Sequence, residues 1–288
     1  AMKIVGKGFL LRSKLQDVIL NEKEIFRRVD SPFIIKLLET YNGSQSLYFL
    51  LEVALGGELY TLYRRKNLYG SARHARYYLG GCVLALEHMH ERKIIYRDLK
   101  PENTLLNSEG HLKLTDMGLA KFVIGKTYST CGTPDYFAPE MINSLGHNCA
   151  LDWWSLGIFL FELMTGRTPF ASHFPMQIYR KVQKGIHKVR FPSKCQGDVA
   201  NLVRNLLVNE PCGRLPMRPG GVENLKSHKW YVGFCWELMA RLELEPPYVP
   251  VVLNGKDLSN FSARPEDVPK QCTYYDPGTG WDKDFASA

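Results

Sequence analysis

The 288-residue sequence predicts an α+β fold, with a small β-rich part, a larger helical part and an extended C-terminal stretch. Three observations carry this. Apolar runs of strand character fall within the first 116 residues. Helical periodicity then governs most of the chain up to about Tyr231. After "EPPYVPVV" periodicity is lost and Pro, Asp and Gly accumulate, as in a tail laid over something else. With 45% hydrophobic residues, the chain can build a sizeable core.

The elements follow in order. Residues 2–5 read as the end of a strand. Arg12 to Arg28 reads as one helix, because Leu15, Val18, Ile19 and Phe26 share a face. Glu22 lies on that face too, and a carboxylate there is costly unless a cation meets it. "SLYFLLEVAL" is a buried strand running into Gly56-Gly57. "HARYYLGGCVLALEHMH" is a helix with Tyr78, Cys82, Leu86 and Met89 inward. "NTLLNSEGHLKLTD" gives two short strands around a Ser-Glu-Gly turn. There are no internal repeats.

Composition excludes several classes. The seven cysteines show no CxxC spacing, so neither a zinc site nor a disulfide framework is expected, and a reducing, cytoplasmic setting fits. The mixed polar opening of the sequence leads us to expect no secretory signal. The most apolar run, "WWSLGIFLFELM", is interrupted by Ser155 and Glu162 and is too short for a membrane span. The net charge of +8 is spread in short runs such as Arg64-Arg65-Lys66, so nucleic acid is not an expected partner. Nothing in the sequence fixes an oligomeric state.

The chemistry centres on "IIYRDLKPENTLL", residues 94–106. An apolar lead enters a polar loop holding Arg97, Asp98, Lys100 and Asn103, and Pro101 biases Lys100 to an extended conformation. "LTDMG" comes next, with Asp116 at a strand end and Gly118 freeing the turn. Phosphoryl transfer needs two hard oxygen ligands for Mg²⁺, a carboxylate to orient a hydroxyl, and cations for the moving charge. Asn103 and Asp116 can hold the metal, Asp98 can accept the proton, and Lys100 can reach the γ-phosphate. Tyr96-Arg97-Asp98-Leu99…Asn103, Asp116-Met117-Gly118 and Ala138-Pro139-Glu140 reproduce, in order, three motifs of the protein-kinase signature. That signature also asks for a strand Lys paired to a helix Glu. Lys3 in "AMK" and the misplaced Glu22 fit, as a clamp on the α- and β-phosphates.

At these motifs the sequence resembles the AGC group of Ser/Thr protein kinases, and within it the catalytic domain of cyclic-GMP-dependent kinases. "YRDLKPEN", "CGTPDYFAPE", "NLKSHKWYVGFCWE", "DLSNFSARPED" and the ending "GWDKDF" carry the resemblance, which covers nearly the whole chain. It implies a two-lobed protein-kinase fold with an incomplete small β lobe. A kinase domain would span 1–230 (partial N-lobe 1–53, lacking the glycine-rich loop, and C-lobe 54–230), with an AGC-type tail over 231–288. ATP would lie in the hinge against the backbone of Glu52 and Ala54, with Leu51 as gatekeeper and Leu105 beneath the ring. Asp152 would brace the catalytic loop through backbone donors, and Glu140 would pair with Arg214. Ser129 occupies the regulatory phosphosite, where a phosphate would meet Arg97 and Lys121; Thr130 is a neighbouring candidate. Thr133 would contact Asp98 and Lys100. Glu58, Glu102 and Glu162 match positions that bind arginines upstream of the acceptor, which implies protein substrates with basic sites.

The sequence also departs from the family. Met117 replaces the usual Phe in a spine with Tyr96, Phe26 and Leu37. Val18 stands where relatives carry a His, and Arg264 replaces a tail aromatic. The absent glycine-rich loop keeps a non-catalytic pseudokinase-like scaffold as the alternative. A small-molecule phosphotransferase ranks last, since it would not need "CGTPDYFAPE".

Overall fold

The computed structural model describes residues 1–262 and 272–286; Arg264 lies outside them. The first part of the chain builds one antiparallel sheet and two helices. Strand β1 (Met2–Gly6) leads into α1 (Lys7–Ser13) and α2 (Gln16–Arg28), then β2 (Leu37–Asn42) and β3 (Ser46–Leu51), with strand order β1-β3-β2. Alternation along β3 sends Leu47, Phe49 and Leu51 inward. Its register places Lys3 opposite Phe49.

The expected single helix from Arg12 to Arg28 is instead two. Lys14 adopts a left-handed conformation (φ 55°), and its N–H closes the end of α1. Periodicity from Leu15 onward marked α2, but α1 begins earlier, beside Gly6 and Gly8, where propensity is weak. Gly8 is required: a Cβ there would lie 2.3 Å from the carbonyl oxygen of Cys272. The buried stripe of α2 is Ile19, Glu22, Lys23, Ile25 and Phe26; Leu15 is half-buried, and Val18, predicted inward, is exposed.

The larger part begins with β4 (Gly57–Glu58), α3 (Leu59–Lys66) and α4 (Ala72–Glu91). Four short strands come next: β5 (Ile94–Ile95), β6 (Thr104–Leu106), β7 (Leu112–Leu114) and β8 (Lys121–Phe122). Then come α5 (Pro139–Ile142), α6 (Ala150–Thr165), α7 (Pro175–Lys184) and α8 (Asp198–Leu206). Tyr78, Cys82, Leu86 and Met89 of α4 are fully buried, as their spacing predicts. Helix α6, which contains the most apolar run of the sequence, is buried on nearly every side and packs against α4 and α8. Among the described residues no helix is long and apolar enough to cross a membrane.

The C-terminal stretch does lie over other structure, and it covers the small sheet with α1 and α2. Phe285 is fully buried, edge-on to Phe49 at 5.1 Å. Its carbonyl accepts from Thr40 Oγ1 at 2.7 Å, and the Asp284 carbonyl accepts from Lys23 Nζ at 2.7 Å. Lys7 pairs with Asp282 at 2.5 Å, both nearly buried. Asn260 donates to the carbonyls of Leu55 (3.1 Å) and Val251 (3.0 Å), tying the stretch to the segment after β3.

Candidate active site

The site is built on the loop between β5 and β6 and on the turn after β7. Two non-glycine residues there hold positive φ: Arg97 (68°) and Asp116 (56°). Such backbone is costly and persists only where surroundings enforce it. For Arg97, Asp152, buried at the start of α6, supplies the enforcement. Its carboxylate accepts from the N–H groups of Tyr96 (2.9 Å) and Arg97 (2.8 Å), and its contact with His90 Nε2 is 2.7 Å. The bracing role expected of Asp152 matches this geometry, while His90 was not anticipated. Tyr96 Oη donates to the Thr115 carbonyl at 2.5 Å, joining the loop to the residue before Asp116.

Asp98 sits at the centre. Lys100 Nζ lies 3.1 and 2.9 Å from its two carboxylate oxygens and 3.3 Å from Thr133 Oγ1. Asn103 Nδ2 donates to the Asp98 side chain (2.6 Å) and carbonyl (3.0 Å), so Asn103 Oδ1 is left without a protein partner among the described residues. Lys3 donates to Glu22 at 2.6 Å and to Asp116 at 3.3 Å. Burial pulls the Lys3 ammonium down, but Glu22 and then Asp116 outweigh it and hold its pKa above the ordinary value. The cation that Glu22 requires is therefore Lys3, as the apolar stripe implied. Asp116 keeps its side chain half-exposed, within reach of a ligand.

The hinge comes directly after β3. The Glu52 N–H donates to the Lys36 carbonyl (2.8 Å), and its carboxylate pairs with Lys113 (2.7 Å). The Glu52 carbonyl and the Ala54 N–H have no backbone partner among the described residues, the pattern of an edge that can take a planar donor–acceptor ligand. Leu51 is buried and Leu105 half-buried. Met117, Tyr96 and Phe26 are buried in one apolar cluster, with Leu37 packed against it.

In the segment from Asp116 to Glu140, Arg97 donates to Ser129 Oγ at 2.8 Å and to the Leu119 carbonyl at 2.7 Å. Lys121, expected with Arg97 to meet a phosphate on Ser129, donates to Thr127 Oγ1 at 2.9 Å in the unmodified segment. The reason is a backbone bridge pairing Thr127 with His147, which brings Thr127 inward while Ser129 and Thr130 stay exposed. Glu140 and Arg214 form a buried fork with both N–O distances 2.6 Å.

A groove of about 640 Å³ opens in front of Lys100, Asn103 and Thr133. Glu102 and Glu162 line it, but Glu58 does not; the Glu58 carboxylate accepts from Thr61 at 3.2 Å. Asp135, Arg167 and Thr168 also line it and were not singled out from sequence, although Asp135 stands inside "CGTPDYFAPE". Burial lifts the Glu162 carboxyl to about 7; a hydrogen bond from Tyr136 (2.5 Å) opposes this, and Glu102 and Asp135 add to it. Among the described residues no group of three or more His, Cys, Asp or Glu could hold a metal alone.

The family model for the protein kinase domain matches residues 1–231. The chain is 41% identical to a cGMP-dependent protein kinase, isozyme 2 (forms cD5/T2), of Drosophila melanogaster over 99% of its length, and spans 30% of that protein. It is 41% identical to the mouse cAMP-dependent protein kinase catalytic subunit PRKX over 92% of its length, covering 74% of it. Identity to the cGMP-dependent protein kinase egl-4 of Caenorhabditis briggsae is 39%, over 99% of the chain and 38% of that protein.

Proposed function

The chain belongs to the protein kinase family, among the AGC Ser/Thr kinases, and on that premise we propose that it is a cytoplasmic kinase that transfers the γ-phosphate of Mg²⁺-ATP to Ser or Thr in Arg/Lys-rich segments of proteins, in the manner of cyclic-GMP-dependent kinases. The observation that carries this is the Asp98–Lys100–Thr133 contact at the head of a groove that also holds Glu102 and Glu162.

Each residue has a task that its surroundings permit. Asp98 orients the acceptor hydroxyl and takes its proton; Lys100, bridging Asp98 and Thr133, holds positive charge where the phosphoryl group passes. Asn103 Oδ1 and Asp116 Oδ2, the half-exposed carboxylate's oxygen not engaged by Lys3 and the Gly118 N–H, are two hard oxygens that would hold Mg²⁺, completed by nucleotide phosphates. The bound metal would neutralise charge on those phosphates. Lys3, positioned by Glu22, reaches the α- and β-phosphates. The Glu52 carbonyl and Ala54 N–H take the adenine edge, between Leu51 and Leu105. Glu102 and Glu162 take arginines of the acceptor, and Glu58 serves only if it releases Thr61. A phosphate on Ser129 would meet Arg97 and order the segment. A non-catalytic scaffold would have no use for the two groups Lys3, Glu22 and Asp116, and Asn103, Asp98 and Lys100.

The test is phosphorylation of an Arg-Arg-x-Ser peptide with Mg²⁺-ATP, with Asp98→Asn as the blank. Incorporation well above the blank is expected. A folded wild-type sample no more active than the blank would reject the assignment.

A further inference from the structure

From Leu163 to Gly197 the sequence contains no Asp or Glu, and six of its cations fall between Arg180 and Lys194. In sequence they stand as scattered singles and pairs. Helix α7 and the turn after it gather them. Ile178 and Val182 of α7 are buried, which leaves Met176, Arg180 and Lys184 as an outward row at i, i+4 and i+8. Lys188, Arg190 and Lys194, in the run that follows α7, are exposed as well. The side chains of Arg180, Lys184, Lys188 and Arg190 have no ion pair or hydrogen bond among the described residues, whereas those of Lys181 and Lys194 are tied to the carbonyls of Ala171 and Tyr69. At the N-terminal edge of the same face, Phe174 and Met176 are 65% and 63% exposed.

We propose that this face is a peripheral docking surface for an anionic membrane. An acidic peptide would call for cations converging in a concavity. Here they spread over the outside of a helix and the extended run after it, free to meet diffuse, laterally mobile charge. Phe174 and Met176 stand where they can enter the acyl boundary while the cations meet headgroups. The face adjoins the groove in front of Lys100. Tyr179 of α7 stacks on Phe137 at 5.9 Å, and Lys181 holds Ala171, which lines the groove. Adsorption would therefore hold the groove close to the lipid surface, where basic acceptor segments also collect.

The experiment is vesicle sedimentation of the full chain with pure phosphatidylcholine and with roughly 30% phosphatidylserine. Binding only to the anionic vesicles, weakened by salt, is expected. Each neutralised cation near the surface should weaken partition about 5-fold. Arg180→Glu/Lys184→Glu/Lys188→Glu should therefore lose more than about 100-fold, with an unchanged melting temperature because all three are exposed. Phe174→Ser/Met176→Ser should lose about 10-fold and keep the salt dependence. Equal binding to both vesicle types, or no change in the triple variant, would overturn the proposal. So would an unchanged Phe174→Ser/Met176→Ser variant together with equally strong binding of soluble polyglutamate or duplex DNA, which would reassign the face to an acidic macromolecule.

Discussion

Glu162 offers a sharp test of how the groove reads charge. Burial lifts its carboxyl to about 7, so it is about 9% ionised at pH 6 and about 91% at pH 8. If an acceptor arginine pairs only with the ionised form, the apparent Kd of an Arg-Arg-x-Ser peptide should fall about 10-fold between these pH values. Glu162→Gln should bind with the affinity of the wild type at pH 6 and show no such slope. The assay is fluorescence anisotropy of a labelled peptide, which reports binding without turnover, with an Ala-Ala-x-Ser control. Stability supplies a second readout. The raised pKa means the folded state holds a proton that the unfolded chain has released, so stability is highest below the ordinary 4.5 and declines as pH rises to about 7. The difference amounts to at most roughly 3 kcal/mol, and Glu162→Gln should remove that part of the pH dependence. A Glu162→Gln variant that kept the full pH slope in peptide binding would refute the assignment. So would a loss of affinity as large at pH 6 as at pH 8.

The same geometry predicts other outcomes. Arg214→Ala strands Glu140 without its fork and should cost about 3–5 kcal/mol, read as a drop of roughly 6–20 °C in melting temperature; Arg214→Lys should recover only part of it. Lys3→Met leaves Glu22 buried and unpaired, so it should lower both stability and ATP affinity; adding Glu22→Gln should restore the melting temperature but not nucleotide binding measured by calorimetry. Phe285→Ala should cost about 3–5 kcal/mol, and hydrogen exchange should speed up in α2 and β3, which this ring covers, before it does in α6.

Much of the site was legible because its signals are local. Pro101 holds Lys100 extended through its own backbone limits, whereas the turn expected of Gly118 is made by Asp116, which takes the left-handed conformation instead; the order Asp98, Asn103, Asp116 survives any packing. Glu22 announced a partner simply by interrupting an apolar stripe. The fold was readable where periodicity was strong, as in α4 and α6. It failed at α1, where Gly8 depresses helix propensity and the reason for Gly8 is the Cys272 carbonyl, near the other end of the chain.

Sequence alone thus determined the chemistry: which side chains exist, in what order, and which turns carry them. Tertiary structure decided how they act. It placed Glu162 beside Glu102 but left Glu58 on Thr61, set Lys121 on Thr127, and seated Phe285 against Phe49. It raised Glu162 towards neutrality and exposed the cations of α7 and of the run after it. The reason is that turn chemistry and periodicity depend on neighbours in the chain. Burial, pKa and the pairing of distant charges depend on neighbours in space, which only the folded packing supplies.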